Sequence, residues 1–184
     1  SVKRMLAYSS IAQAGFMLLA VYAINGDSKE GLLLYAASYS LATIGIFAVL
    51  TYLQDYTFEG FNGLAKKQPT LAILLVGFAL ANIALPLTNA FVGEFLMFNS
   101  LFQYNVWVGA AAGVSIILAA IYTLNMVQKV AYGEVSTSIN QMQTINKPAQ
   151  IVLIVLLIIV FVTGVFPKPL FDLTADSLQQ IIVK

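Results

Sequence analysis

Apolar residues fill five long blocks of this chain, and polar clusters separate the blocks. The first covers residues 5 to about 24, close to the ~20 residues a helix needs to cross a hydrocarbon core. Lys3 and Arg4 sit at its entry, and Asn25-Gly26-Asp27-Ser28 follows as a turn with helix-stop character. The second, residues 31 to about 53, carries Tyr35, Ser38, Tyr39, Ser40 and Thr43, hydroxyls that can face neighbouring helices instead of lipid. A charged loop over residues 54–68 comes next. The third block opens on Pro69, which suits the first turn of a helix, stops around Pro86, and resumes to about Phe102. This pattern predicts two short helices meeting at a break, as one discontinuous crossing. A tight reversal giving two full crossings is the competing topology.

The fourth block, residues 106–132, holds Ala110-Ala111-Ala112-Gly113, small residues that allow close helix contact. A polar loop over residues 133–147 leads to the fifth block, residues 149–166, which is almost purely aliphatic and is expected to face lipid. Residues 170–184 set Leu170, Leu173, Leu178, Ile181 and Ile182 against Asp172, Asp176 and Gln179, as a short interfacial amphipathic helix does. The expectation is an all-α integral membrane protein. A polytopic bundle of about five crossings occupies residues 1–169, with a break near 86–90, and a tail over residues 170–184 lies at the interface.

Composition supports that class. Of 184 residues, 60% are hydrophobic and 9% charged, where a soluble domain has about 25% charged. The net charge of +1 gives no basic face for nucleic acid. His and Cys are both absent, which removes the usual ligands of haem, iron–sulfur clusters, zinc and copper. No cofactor and no redox step are therefore expected in this chain. It begins at Ser1 and enters a helix with no signal peptide, so it reads as a fragment lacking its N-terminal part. With one broken crossing, Lys3, Arg4, Lys66, Lys67, Lys129 and Lys147 share one side, predicted cytoplasmic, against Lys29, Lys168 and Lys184. Two crossings give the same six-to-three split, with Lys168 and Lys184 replacing Lys129 and Lys147.

Charge then singles out one residue. Between residues 69 and 102, Glu94 is the only charged side chain. A charge at bilayer depth costs roughly 2.5 kcal/mol or more, and is normally paired, neutralised or set beside water. A helix break at that depth persists only where the freed backbone faces protein or a wet cavity. Glu94, with Pro86, Thr88 and Asn89 at the break, therefore reads as an ion or proton site, since a desolvated carboxyl can load and unload protons. The plainer alternative is a solvated glutamate at the headgroup level, which the long apolar flanks oppose. Lys3 is a weaker relay candidate, and Lys129 another polar candidate; snorkelling anchors account for both. Tyr8, Gln13, Tyr39, Asn82 and Asn125, with Lys129, form a candidate polar axis. Taken singly, each is explained by interhelical hydrogen bonding of about 0.6 kcal/mol.

Two motifs resemble a known family. Val2-Lys3-Arg4-Met5-Leu6-Ala7-Tyr8-Ser9-Ser10 resembles the D/N-V/I-K-R-x-L/I-A-Y-S-S element of the antiporter-like proton-pumping subunits of respiratory complex I. Leu85-Pro86-Leu87-Thr88-Asn89-Ala90-Phe91-Val92-Gly93-Glu94-Phe95 resembles the L-P-G-T-S-x-F-V-G-E-F element of the M-type subunit (mitochondrial subunit 4). N-type subunits and Mrp antiporter subunits have lysine where Glu94 stands. Leu87 replaces the family's glycine, and Gln13 stands where M types commonly have histidine. The second block reads more like the N type.

The resemblance implies the second five-helix half of a 14-helix subunit, with the third block as its discontinuous helix. It implies proton translocation coupled to electron transfer in other membrane subunits, with Glu94 near the end of a lysine–glutamate relay. The implied setting is a bilayer, most simply the bacterial inner membrane, and the implied cargo is protons moving along water. An N-type subunit and an Mrp-type Na⁺/H⁺ antiporter subunit are the alternatives.

Overall fold

The computed structural model describes residues 1–23, 26–53, 56–58, 62–140, 142 and 144–172. They form helices α1 (Val2–Tyr22), α2 (Gly26–Leu50), α3 (Leu64–Lys67), α4 (Pro69–Asn82), α5 (Asn89–Tyr104), α6 (Val106–Ala131), α7 (Thr137–Asn140) and α8 (Lys147–Val165), with no strand among the described residues. The protein is an all-α membrane bundle: α1, α2, α6 and α8 are each long and apolar enough to cross a bilayer.

Local chemistry sets the ends. The Asn105 side chain accepts hydrogen bonds from the backbone N–H of Trp107 (2.8 Å) and of Val108 (3.4 Å), capping α6. Asn146 caps α8 through the N–H of Ala149 (3.1 Å), and Pro69 occupies the first turn of α4. One boundary differs from the sequence reading. α2 begins at Gly26, so Gly26, Asp27 and Ser28 are helical rather than a turn, and buried Ser28 packs that first turn into the protein. Lys3 and Arg4 sit in the first turn of α1, at the entry where the sequence reading puts them. Asn25 and residues 173–184, most of the expected amphipathic tail, lie outside the described residues.

α4 and α5 have 14 and 16 residues, about 21 and 24 Å at 1.5 Å per residue, each short of a ~30 Å core. They lie end to end. The C-terminal half of α2 packs on α4 through Ile46, Val49 and Leu50, and its N-terminal half packs on α5 around Tyr35. A hairpin would instead press α4 and α5 side by side. The charges agree. Lys3 lies over Tyr56, Lys129 faces Phe58, and Lys67 donates to Asn140 (3.3 Å), so the ends of α1 and α6 meet the α2–α4 connection on one side. That grouping is the one given by a single broken crossing.

The break itself is held in a strained turn. Ala84 (φ 50°) and Leu87 (φ 83°) adopt left-handed conformations, which cost an L residue roughly 1–2 kcal/mol. The Thr88 hydroxyl donates to the Leu85 carbonyl at 2.7 Å, and the Leu85 N–H reaches back to Leu80 at 3.0 Å, satisfying part of the freed backbone. α8 closes over the turn at Gly164, where an added Cβ would strike the Leu87 carbonyl and lie 2.7 Å from the Asn89 nitrogen. The rest of α8 turns outward, with only Leu153 and Val160 buried.

Candidate functional site

A second glycine contact places the carboxylate. α2 and α5 cross at Gly31 and Gly93: a Cβ on Gly93 would come within 2.6 Å of the Tyr35 backbone nitrogen and 2.7 Å of the Gly31 carbonyl oxygen. Backbones that close bring the next residue, Glu94, into the interior, where it is 7% exposed. Among the described residues its carboxylate has no cationic partner. It lies within electrostatic reach of the fully buried phenol of Tyr35, close to which Tyr39 and Tyr122 also gather. On its other side Glu94 borders a cleft of about 310 Å³ between α5 and α6, walled by Phe91, Phe95 and Phe98 against Gly113 and Ile116.

A layer of phenols spreads from Tyr35 across three helices. The Tyr35 hydroxyl donates to the Gln13 side-chain oxygen at 2.8 Å. Tyr39 donates to the Ser10 hydroxyl at 3.0 Å, and Tyr122 of α6 to the Ser9 hydroxyl at 2.8 Å. The Tyr35 and Tyr39 rings stack with centroids 6.0 Å apart, and Phe16 meets Tyr35 edge-on at 6.1 Å. Ser9, Ser10 and Gln13 occupy the inward side of α1, so α1, α2, α5 and α6 all contribute to one polar layer inside an apolar bundle. Such groups can pass protons only through hydroxyls and intervening water, since none is a cation.

The structure gathers some of the sequence candidates and scatters others. Glu94, Gln13 and Tyr39 belong to the layer. Asn82, at the end of α4, donates to the Thr43 hydroxyl at 3.3 Å, and Thr88 and Asn89 are buried at the break beside exposed Pro86. Tyr8 is 68% exposed and Asn125 is exposed, so neither faces this interior. Lys3 stacks on the Tyr56 ring, 3.4 Å from its centroid, and Lys129 lies 5.3 Å from that of Phe58; both are exposed at the basic end, away from Glu94. Along the sequence Tyr35 is only one of several hydroxyls on α2. The spacing of Gly31, Tyr35 and Ser38, four and then three residues apart on one helical face, was the signal that could have singled it out.

Fold and site together define a polytopic helical membrane protein built around a broken helix with a buried carboxylate. The chain belongs to the NADH:quinone oxidoreductase/Mrp antiporter transmembrane family, whose model matches residues 1–120. It is 29% identical to NADH-quinone oxidoreductase subunit M of Rhodobacter capsulatus, over 98% of this chain and 36% of that protein. It is 37% identical to NADH-quinone oxidoreductase subunit N 2 of Hydrogenobaculum sp., over 94% of this chain and 39% of that protein. A chain of respiratory complex I from Thermus thermophilus, solved with bound aureothin, superposes with a TM-score of 0.80 at 28% identity, over 94% of this chain and 40% of that one. The chain thus spans well under half the length of the relatives it matches.

Proposed function

We propose that this chain moves protons across the membrane as part of an antiporter-like, M-type subunit of an NADH:quinone oxidoreductase, driven by electron transfer in other subunits. The observation that carries the reading is Glu94: a buried carboxylate with no cationic partner among the described residues, next to a helix break and facing the phenol layer. A cation brought near a carboxylate favours its charged form and proton release, and withdrawal of the cation favours uptake. Glu94 then exchanges its proton with water in the interior, while Tyr35, Tyr39 and Tyr122 orient that water. The chain itself holds no cofactor. Its partners are the other membrane subunits of the complex and the lipid that covers α8, and the bacterial relatives favour the bacterial inner membrane.

A second reading is an N-type subunit, favoured by the 37% identity to subunit N 2. The family also takes in Mrp antiporters, for which Na⁺/H⁺ exchange without electron flow would be the mark. The test is Glu94→Gln in the complete complex, with NADH-driven electron transfer and proton uptake measured side by side in sealed vesicles. Loss of uptake in an assembled, electron-transferring complex is the expected result. Unchanged uptake per electron would remove Glu94 from the proton path.

A further inference from the structure

Two buried polar atoms stand apart from the hydrogen-bonding habit of this bundle. Hydroxyls on its helices usually donate back to their own backbone: Ser10 to Leu6 (3.0 Å), Ser40 to Ala36 (2.7 Å), Ser100 to Leu96 (2.9 Å) and Thr163 to Ile159 (2.6 Å). Ser38 does not. Its hydroxyl oxygen is fully buried and has no hydrogen-bond partner among the described residues. The side-chain carbonyl oxygen of Asn89 is in the same condition.

The helix register puts the two at one level. α2 and α5 run antiparallel, since Gly31 faces Leu96 and Met97 while Tyr35 faces Gly93. One further turn carries α2 to Ser38 and α5 back to Asn89. Asn89 opens α5 at the break, and Gly164 of α8 presses on its backbone from outside. Glu94 lies five residues further along α5, about 7.5 Å along the axis at 1.5 Å per residue. An unpaired buried acceptor costs roughly 1–3 kcal/mol, so two at one place call for a shared partner. Water can accept from a hydroxyl and donate to a carbonyl at once, and buried waters sit where two to four otherwise unsatisfied polar groups converge.

We infer that Ser38 and Asn89 hold a structural water at the helix break, and that this water continues the proton path from Glu94 to the gap between α4 and α5. The Ser38 O–H donates to the water oxygen, and one water O–H donates to the Asn89 carbonyl. The second water hydrogen is left free toward Glu94. A proton arriving on the water is balanced by a proton leaving it, and neither side chain changes charge. The inference rests on the proton-transfer reading of Glu94, and adds positioning residues and one bound water to it.

The first measurement is a density map of the assembled wild-type complex at a resolution that shows ordered water. A water within about 3.2 Å of both the Ser38 hydroxyl and the Asn89 side-chain oxygen is expected. A direct hydrogen bond between the two side chains, or no water there, overturns the site. The second compares Ser38→Thr with its isosteric counterpart Ser38→Val, alongside Glu94→Gln, by proton uptake per electron in sealed vesicles. The valine variant is expected to lose as much uptake as Glu94→Gln, and the threonine variant to keep the wild-type ratio. Equal loss in both Ser38 variants means a packing role and overturns the path. Normal uptake in both, with Glu94→Gln defective, overturns the path but leaves Glu94 in place. Normal uptake in all three removes the Glu94 reading as well.

Discussion

α4 and α5 are the two short helices that meet at the break, yet they bury opposite kinds of side chain. α4 turns Leu71, Leu74, Leu75 and Phe78 inward against Ile46, Val49 and Leu50 of α2 and Met126 and Val130 of α6. Its buried polar residue, Asn82, sits at the very end, by the break. α5 buries Asn89, Gly93, Glu94 and Ser100 among Ala90, Met97 and Leu101. The α4 half is held by volume, as close-packed hydrocarbon. The α5 half is held by close backbone approach to α2, which sets Glu94 near the Tyr35 phenol. The break separates two environments: a dry plug at the basic end and a polar chamber beyond it.

The comparison can be broken or sharpened by substitution. Phe78→Ala, in the dry half, is expected to cost about 3–5 kcal/mol, seen as a lower melting temperature of the purified complex. Proton uptake per electron in the surviving complex should not change, and a fall in that ratio would erase the division between the halves. Gly93→Ala, in the polar half, forces a Cβ against the Tyr35 backbone and is expected to cost roughly 1–3 kcal/mol and to lower uptake as well. Gly15→Ala, where a Cβ meets nothing within 4 Å, is its neutral control in the same assays.

Leu87→Gly removes a left-handed leucine from the break between the halves. It should stabilise the subunit by about 1 kcal/mol, read from the same melting curve. Tyr35→Phe deletes the bond to Gln13, and its stability cost should be only about 0.6 kcal/mol. Its effect on uptake should be larger than that small cost implies. If uptake and stability both stay at wild type, the phenol layer is no more than packing glue.

Much of this architecture was legible along the chain. Five apolar blocks, Pro69, Pro86 and the lone charge at Glu94 pointed to a bundle with a broken helix and a buried carboxylate. Boundaries were less legible, because a polar first turn such as residues 26–28 looks like a loop until a buried Ser28 shows it packed. The site was legible in its centre but not in its membership. Tyr8 and Tyr35 are the same residue type on apolar helices, and only packing turns one outward and the other fully inside. Lys3 and Lys129 were equally ambiguous, and their contacts with Tyr56 and Phe58 place them at the basic end rather than beside Glu94.

What the sequence determined by itself was the solvent and the anomaly. A chain this apolar must satisfy its backbone within helices, and one carboxylate in a long uncharged run must be provided for by its surroundings. What only the tertiary structure decided was which groups provide for it. Gly31 and Gly93 carry no side chain to signal their purpose. Their contact emerges only when α2 and α5 cross closely enough to set Tyr35 against Glu94 and bring Ser38 level with Asn89. Helical spacing specifies which residues share a face, while the choice of neighbouring face depends on how all the helices pack at once.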